Sequence, residues 1–167
     1  MALTTVVTLK FQTLFTDPAD LSTPTDSLVQ DYSINLATGT GAAQADMIFH
    51  DQRTLADAAV DTLDLYASGS LLDPLGVALT MAELKLLYIH NTSTTNSLTI
   101  GPHANAVDMF ADNTSDIMII PPEGKFLWTS PSAGGLDLTT DKNLVLTHDS
   151  TDANDLIYNI IVIGSDT

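Results

Sequence analysis

With 167 residues, 44% of them hydrophobic, the chain is long enough to bury one core, too short for two, and unlike a disordered segment in composition. Its 21 acidic residues stand against five basic ones, Lys10, Arg53, Lys85, Lys125 and Lys142; the resulting formal charge of -16 repels nucleic acid, because affinity for phosphates rests on Lys and Arg. There is no cysteine, which excludes disulfides, thiolate nucleophiles and cysteine-bound zinc, so stability must come from packing or assembly.

No apolar run approaches the roughly 18 residues of a membrane-spanning helix. The first residues, Met1-Ala2-Leu3-Thr4-Thr5, have neither the basic start nor the apolar stretch of a signal peptide, so synthesis in the cytoplasm without a membrane partner is expected. The acidity fits a solvated surface; sharper readings are a partner of complementary charge or a saline habitat. Five cations are few to guard the open edges of many strands, and edges buried in an oligomer would answer the problem.

In chain order, Val7-Thr8-Leu9-Lys10-Phe11-Gln12 alternates apolar and polar with the period of a half-buried strand. The parity breaks at Leu14-Phe15, which predicts a bulge or strand end near Thr13. Residues 16–27, with Pro18 and Pro24, read as a loop. Residues 1–27 are therefore expected to form either an N-terminal arm that reaches a neighbour or a first strand plus loop, and residues 28–167 a single β-sandwich domain. Leu28, Tyr32, Ile34 and Leu36 share one parity and predict the next strand, closed by Gly39-Thr40-Gly41.

Met47-Ile48-Phe49 and Leu63-Asp64-Leu65 are short strands, with at most a helical turn across 54–60. Thr80 and Glu83 have capping-box spacing, predicting a helical turn over 80–83 that runs into a strand over 84–90. Asn91-Thr92-Ser93-Thr94-Thr95-Asn96 is expected as a hairpin loop before Leu98-Thr99-Ile100. Apolar strands then follow at Ile117-Met118-Ile119-Ile120, Phe126-Leu127-Trp128, Leu144-Val145-Leu146 and residues 156–163. Between two of them, Pro121-Pro122-Glu123-Gly124 predicts a type II-like turn with Gly124 at positive φ, and Gly76 and Gly164 are expected at similar turns. Short strands separated by turns make the fold class all-β, an antiparallel sandwich or barrel.

Little in the chain suggests chemistry. His50, His90, His103 and His148 stand alone in their segments, without the spacing of a zinc or catalytic set. His148-Asp149-Ser150 has triad residue types, but consecutive strand residues point in alternating directions. Asp149, Asp152 and Asp155 could offer carboxylates to a hard cation, though without EF-hand spacing, and a solvated loop is the plainer reading. Gly39-Thr40-Gly41 is too short to cradle a phosphate; Asn91-Thr92-Ser93 and Asn113-Thr114-Ser115 are glycosylation sequons that matter only on export. No enzyme activity, cofactor or metal is expected. Phe126 and Trp128 share parity and belong in a core or an oligomer interface, or else on a sugar-stacking platform.

Several phrases resemble a known layout: Asp51-Gln52-Arg53-Thr54-Leu55-Ala56, Leu63-Asp64-Leu65, Leu71-Leu72-Asp73-Pro74-Leu75-Gly76, residues 84–91, Ile119-Ile120-Pro121-Pro122-Glu123-Gly124 and Ile157-Tyr158-Asn159-Ile160-Ile161-Val162-Ile163-Gly164. Over residues 46–165 their order and spacing are similar to the small jelly-roll proteins that decorate or cement tailed-phage capsids, often as trimers, with relatives in head fibres and tail appendages. The resemblance implies a jelly-roll sandwich and a non-enzymatic viral structural protein. It would bind the major capsid protein as a homotrimer on the outer surface of the virion. Val7, Leu9, Phe11, Phe126 and Trp128 are the candidate interface residues. The alternatives are a head-fibre, neck or tail appendage protein and a carbohydrate-binding module.

Overall fold

A computed structural model describes residues 2–66, 69, 71–109, 115–148 and 153–166. Among these the chain forms strands and no helix: β1 (Thr5–Thr16), β2 (Thr25–Thr38), β3 (Gln44–Ala45), β4 (Met47–Leu55), β5 (Val60–Asp64), β6 (Glu83–Asn91), β7 (Leu98–Ile100), β8 (Met118–Ile120), β9 (Lys125–Thr129), β10 (Leu136–Asp137), β11 (Asn143–His148) and β12 (Leu156–Ser165). A five-stranded antiparallel sheet runs β4-β12-β6, with β9 and β10 both paired to the far side of β6. A four-stranded antiparallel sheet runs β5-β11-β7-β8. One apolar core lies between them, with Leu87, Ile89, Leu156, Tyr158, Ile160 and Val162 from the first sheet and Leu63, Leu98, Ile100, Ile120, Leu144 and Leu146 from the second.

Strand β12 shows why this sequence makes this sheet. Leu156, Tyr158, Ile160 and Val162 alternate onto the core side, where each is buried, while Ile157, Asn159, Ile161 and Ile163 take the outer side. Full burial of an aliphatic side chain of this size contributes about 1.5–3 kcal/mol. Both sides of the strand are apolar at its end because the outer side is covered there as well: Ile163 is buried in a second, smaller cluster with Leu36, Ala45 and Leu86.

The ladder between β12 and β6 is in register until Ile163 faces Leu86, after which Gly164 faces Leu84, so Lys85 is the extra residue of a bulge. Its side chain is buried, with Nζ 2.6 Å from the Glu83 carboxylate and donating to the carbonyls of Ser132 at 2.9 Å and Ala133 at 2.6 Å. Glu83 also accepts the Ser165 hydroxyl at 2.8 Å. An ammonium group has three protons to donate, and here each has an acceptor. Gly164 is a strand residue at the bulge, where a Cβ would lie 2.3 Å from the Glu83 carbonyl oxygen; a close approach of backbones, and not a turn, requires glycine. Gly76, in contrast, occupies a turn at φ +84.

Other local expectations are revised. Residues 80–83 form no helical turn; Glu83 opens β6 and spends its carboxylate on Lys85 and Ser165. Residues 91–96 do not close a hairpin, because β6 and β7 belong to different sheets. Asn91 is buried where the chain crosses, and its Nδ2 reaches the carbonyls of Asn96, Ile120 and Pro121. In the Pro121–Gly124 turn the positive φ falls on Glu123 (φ 59), and Gly124 is needed because a Cβ there would meet the Pro121 carbonyl at 2.7 Å.

The first two strands stand apart from both sheets. β1 and β2 pair without a break from Thr5 opposite Leu36 to Thr16 opposite Thr25, so Thr13 carries no bulge and Leu14-Phe15 continue the strand. Residues 28–36, expected as the first strand of the sandwich, are instead the hydrogen-bonded partner of β1. The expected division between residues 27 and 28 thus falls inside β2. The connecting loop is shorter than expected, residues 17–24, and is closed by Asp17 N–H to the Pro24 carbonyl at 3.1 Å and Ala19 N–H to that of Ser22 at 2.9 Å.

Candidate interaction surface

Residues directly opposite in an antiparallel pair point to the same side. The register therefore puts Val7, Leu9, Phe11 and Phe15 of β1 on one side of the hairpin together with Leu28, Tyr32, Ile34 and Leu36 of β2. Asp26 is the one formal charge among the twelve residues on the side that carries this stripe. The opposite side holds Thr8, Lys10, Gln12, Ser27, Asp31, Ser33 and Asn35, interrupted by Val6, Leu14 and Val29. At about 3.4 Å per residue the hairpin is roughly 40 Å long.

The stripe is buried only at its base. Leu36 is inaccessible and Val7 and Ile34 are half-buried against Ile48, Leu86, Tyr88, Ile161 and Ile163 on the outer side of the five-stranded sheet. Further out, Phe11 is 47% exposed, Tyr32 53% and Phe15 71%. Phe11 and Tyr32 form an edge-to-face pair with centroids 6.2 Å apart, a geometry that holds two large rings in place on the free side. The base is tied down by polar contacts: Thr38 Oγ1 donates to the Leu3 carbonyl at 2.7 Å and Ala43 N–H to that of Pro131 at 2.8 Å. The glycines of residues 39–41 serve this joint: Gly41 N–H donates to Gln44 Oε1 at 2.9 Å, and a Cβ on Gly39 would lie 2.5 Å from the same oxygen.

Between the hairpin and the sheet runs a groove of about 590 Å³, lined on one side by Leu3, Val7 and Leu9 and on the other by Leu86, Tyr88 and Leu127. Among the described residues the outer edge of β1 has no strand beside it, and Lys10 is its one basic residue.

Of the five candidate interface residues, the structure brings Val7, Leu9 and Phe11 together on this stripe. Phe126 and Trp128 are elsewhere. β9 pairs with β6 so that Phe126 faces Ile89 and Trp128 faces Leu87, placing both rings on the core side, half-buried against the main cluster. Leu127, between them, is the β9 residue that reaches the groove. Sequence reasoning missed Leu28, Tyr32, Ile34 and Phe15 as members of the surface. The signal was present: two runs of matching parity on either side of a loop rich in Pro and Asp are the pattern of a hairpin.

The polar clusters are structural. Arg53 Nη2 donates to Asp61 Oδ1 at 3.2 Å, Nη1 to Asp51 Oδ2 at 3.1 Å and Nε to Asp61 Oδ2, while the buried Tyr158 hydroxyl donates to Asp61 Oδ2 at 2.8 Å. These contacts fasten β5 of one sheet to β4 and β12 of the other. Burial, reinforced by the Asp61 carboxylate, holds the Tyr158 phenol far above its ordinary pKa of 10.0. Above that ordinary value the unfolded chain releases the proton and the folded chain keeps it, so stability from this group falls as pH rises past about 10. Tyr158→Phe is expected to lose about 1 kcal/mol at pH 7 and to flatten the alkaline loss of stability, read by urea unfolding across the alkaline range. An unchanged alkaline slope would show that Tyr158 is not the group responsible.

His148 is buried with Nδ1 3.0 Å from the Ala56 carbonyl. Its neighbours Asp149 and Ser150 lie outside the described residues, as do Asp152, Asn113 and Thr114. Among the described residues no group of three or more His, Asp or Glu is placed to hold a metal ion. No family model, curated protein or solved structure matches the chain.

Proposed function

We propose that the chain is a non-enzymatic structural protein of a tailed-phage virion, a decoration or cement protein that binds the major capsid protein at subunit junctions on the outer shell. In this reading it acts as a homotrimer, the two-sheet sandwich is of jelly-roll type and the β1–β2 hairpin is its N-terminal arm. The observation that carries the reading is the hairpin itself: roughly 40 Å of ordered ladder that presents aromatic and aliphatic side chains to solvent on one side. A surface of that kind is suited to other protein surfaces. Function would be mechanical, many copies burying apolar area at junctions of the shell. Each 1.4 kcal/mol or so gained per site raises occupancy tenfold, and linked contacts of a trimer add avidity.

The sugar-binding alternative loses support from the same geometry, because Phe126 and Trp128 turn toward the core and leave no aromatic platform on β9. The appendage alternative is separated by location. Immunogold electron microscopy of virions, with antibody raised against the purified chain, is expected to label the head. Label at the neck or tail would transfer the reading to an appendage, and particles without label, controls being positive, would overturn it.

A further inference from the structure

We infer that the exposed stripe of the hairpin is covered by a second copy of this chain, seated in that copy's groove between hairpin and sheet. This deepens the reading above and takes its homo-oligomer as the assembly. It is judged by mass in solution, so it can fail while shell binding stands, or stand while shell binding fails.

Area gives the first argument. The chain exposes 8998 Å². A compact monomer of 17.7 kDa should expose about 7,950 Å². The excess of about 1,000 Å² is close to the roughly 800 Å² that each partner contributes to a standard stable interface. Stability gives the second, since a two-stranded hairpin is marginal in water unless its apolar side is covered. Here the covering stops beyond Val7 and Ile34, while the ladder runs on to Thr16 and Thr25.

Continuity and charge select the occupant. The base of the stripe already shows what this side packs against, namely Leu86, Ile161 and Ile163 of the outer sheet face. The same face continues into the open groove through Tyr88 and Leu127. Each molecule therefore carries both the insert, Phe11, Phe15, Leu28 and Tyr32, and a receptor of matching chemistry. Two copies with a formal charge of -16 repel one another except through a surface without charge, and this stripe has Asp26 as its one formal charge. Insert and receptor adjoin at Val7 and Leu9 on each molecule, so copies that exchange inserts close on themselves, as a pair about a two-fold axis or as a ring.

Sedimentation equilibrium of the full chain, at low and high salt, tests the inference. The wild type is expected at two or more times 17.7 kDa, with association strengthened by salt as like charges are screened. Phe11→Asp with Tyr32→Asp should weaken association about a hundredfold or more, since two central aromatic anchors are lost. Trp128 fluorescence and the cooperative unfolding of the sandwich should stay unchanged, because Phe11 and Tyr32 lie outside the main core. Leu127→Asp should produce the same loss from the groove side. Leu14→Asp, on the opposite side of the hairpin, should leave the mass unaltered. A single-chain mass for the wild type at every concentration would overturn the inference and assign the stripe to another protein. Retention of the oligomer by both the hairpin and the groove variants, or dissociation by Leu14→Asp, would overturn it equally.

Discussion

Gly164→Ala is expected to destabilise the fold by about 3 kcal/mol or more, the high end for adding one methyl group to a packed interior. The new Cβ would stand 2.3 Å from the Glu83 carbonyl oxygen and 3.2 Å from Met81 Sδ. The thioether can move. The carbonyl cannot, because it belongs to the first residue of β6 at the bulge where β6 and β12 change register. Relief would require the two central strands of the five-stranded sheet to separate at the end that also supports Ile163 and the hairpin base. Gly134→Ala is the control: nothing lies within 4 Å of its Cβ position, and a change within about 0.5 kcal/mol is expected. Denaturant unfolding of both variants settles the matter, and a Gly164→Ala protein within 1 kcal/mol or so of wild type would show that the bulge yields more easily than this packing implies.

Lys85→Ala is expected to cost about 3–5 kcal/mol, the range for removing one partner of a buried ion pair. The substitution would leave the Glu83 carboxylate without its cation, take the Lys85 donor from the Ala133 carbonyl, and leave the Ser132 carbonyl with the Gly135 N–H at 3.3 Å. Lys85→Met keeps much of the volume, and combined with Glu83→Gln it removes the pair from both sides. That double variant should recover a large part of the loss. A double-mutant cycle measured by urea unfolding gives the coupling directly, and a coupling near zero would mean that the two carbonyls, and not Glu83, are what Lys85 serves. Gly164 faces Leu84, the residue beside Lys85, so losses from the two sites should not add.

Periodicity made much of the sandwich legible. Residues 156–163 and 84–90 alternate across two apolar faces, and only strands deep in a layered structure do so. What periodicity could not supply was the identity of each strand's partner. Leu28, Tyr32, Ile34 and Leu36 alternate as a sandwich strand would, yet they belong to a hairpin, with Leu28 and Tyr32 on its free part and Ile34 and Leu36 packed at its base. Period two reports that one side is apolar; whether that side meets the chain's own core or another surface depends on tertiary placement. The same limit explains Phe126 and Trp128, whose shared parity was readable and whose inward direction was not. Thr80 and Glu83 mislead for a different reason. Capping-box spacing is a local preference worth about 1 kcal/mol, and a buried lysine nearby had the stronger claim on the carboxylate. Lys85 itself was unreadable as an interior residue, since nothing in a linear pattern announces the bulge that turns it inward.

The unpaired outer edge of β1 bears on how the protein has to be made. A strand of twelve residues with one lysine along it offers a long row of free backbone donors and acceptors, beside a stripe rich in Phe, Leu and Val. Until a copy finds its place in an assembly, that edge is open to any other newly synthesised copy, in registers that lead to fibres as well as to the native contact. Speed of capture, set by how many copies and acceptor sites are present at once, then decides between assembly and loss.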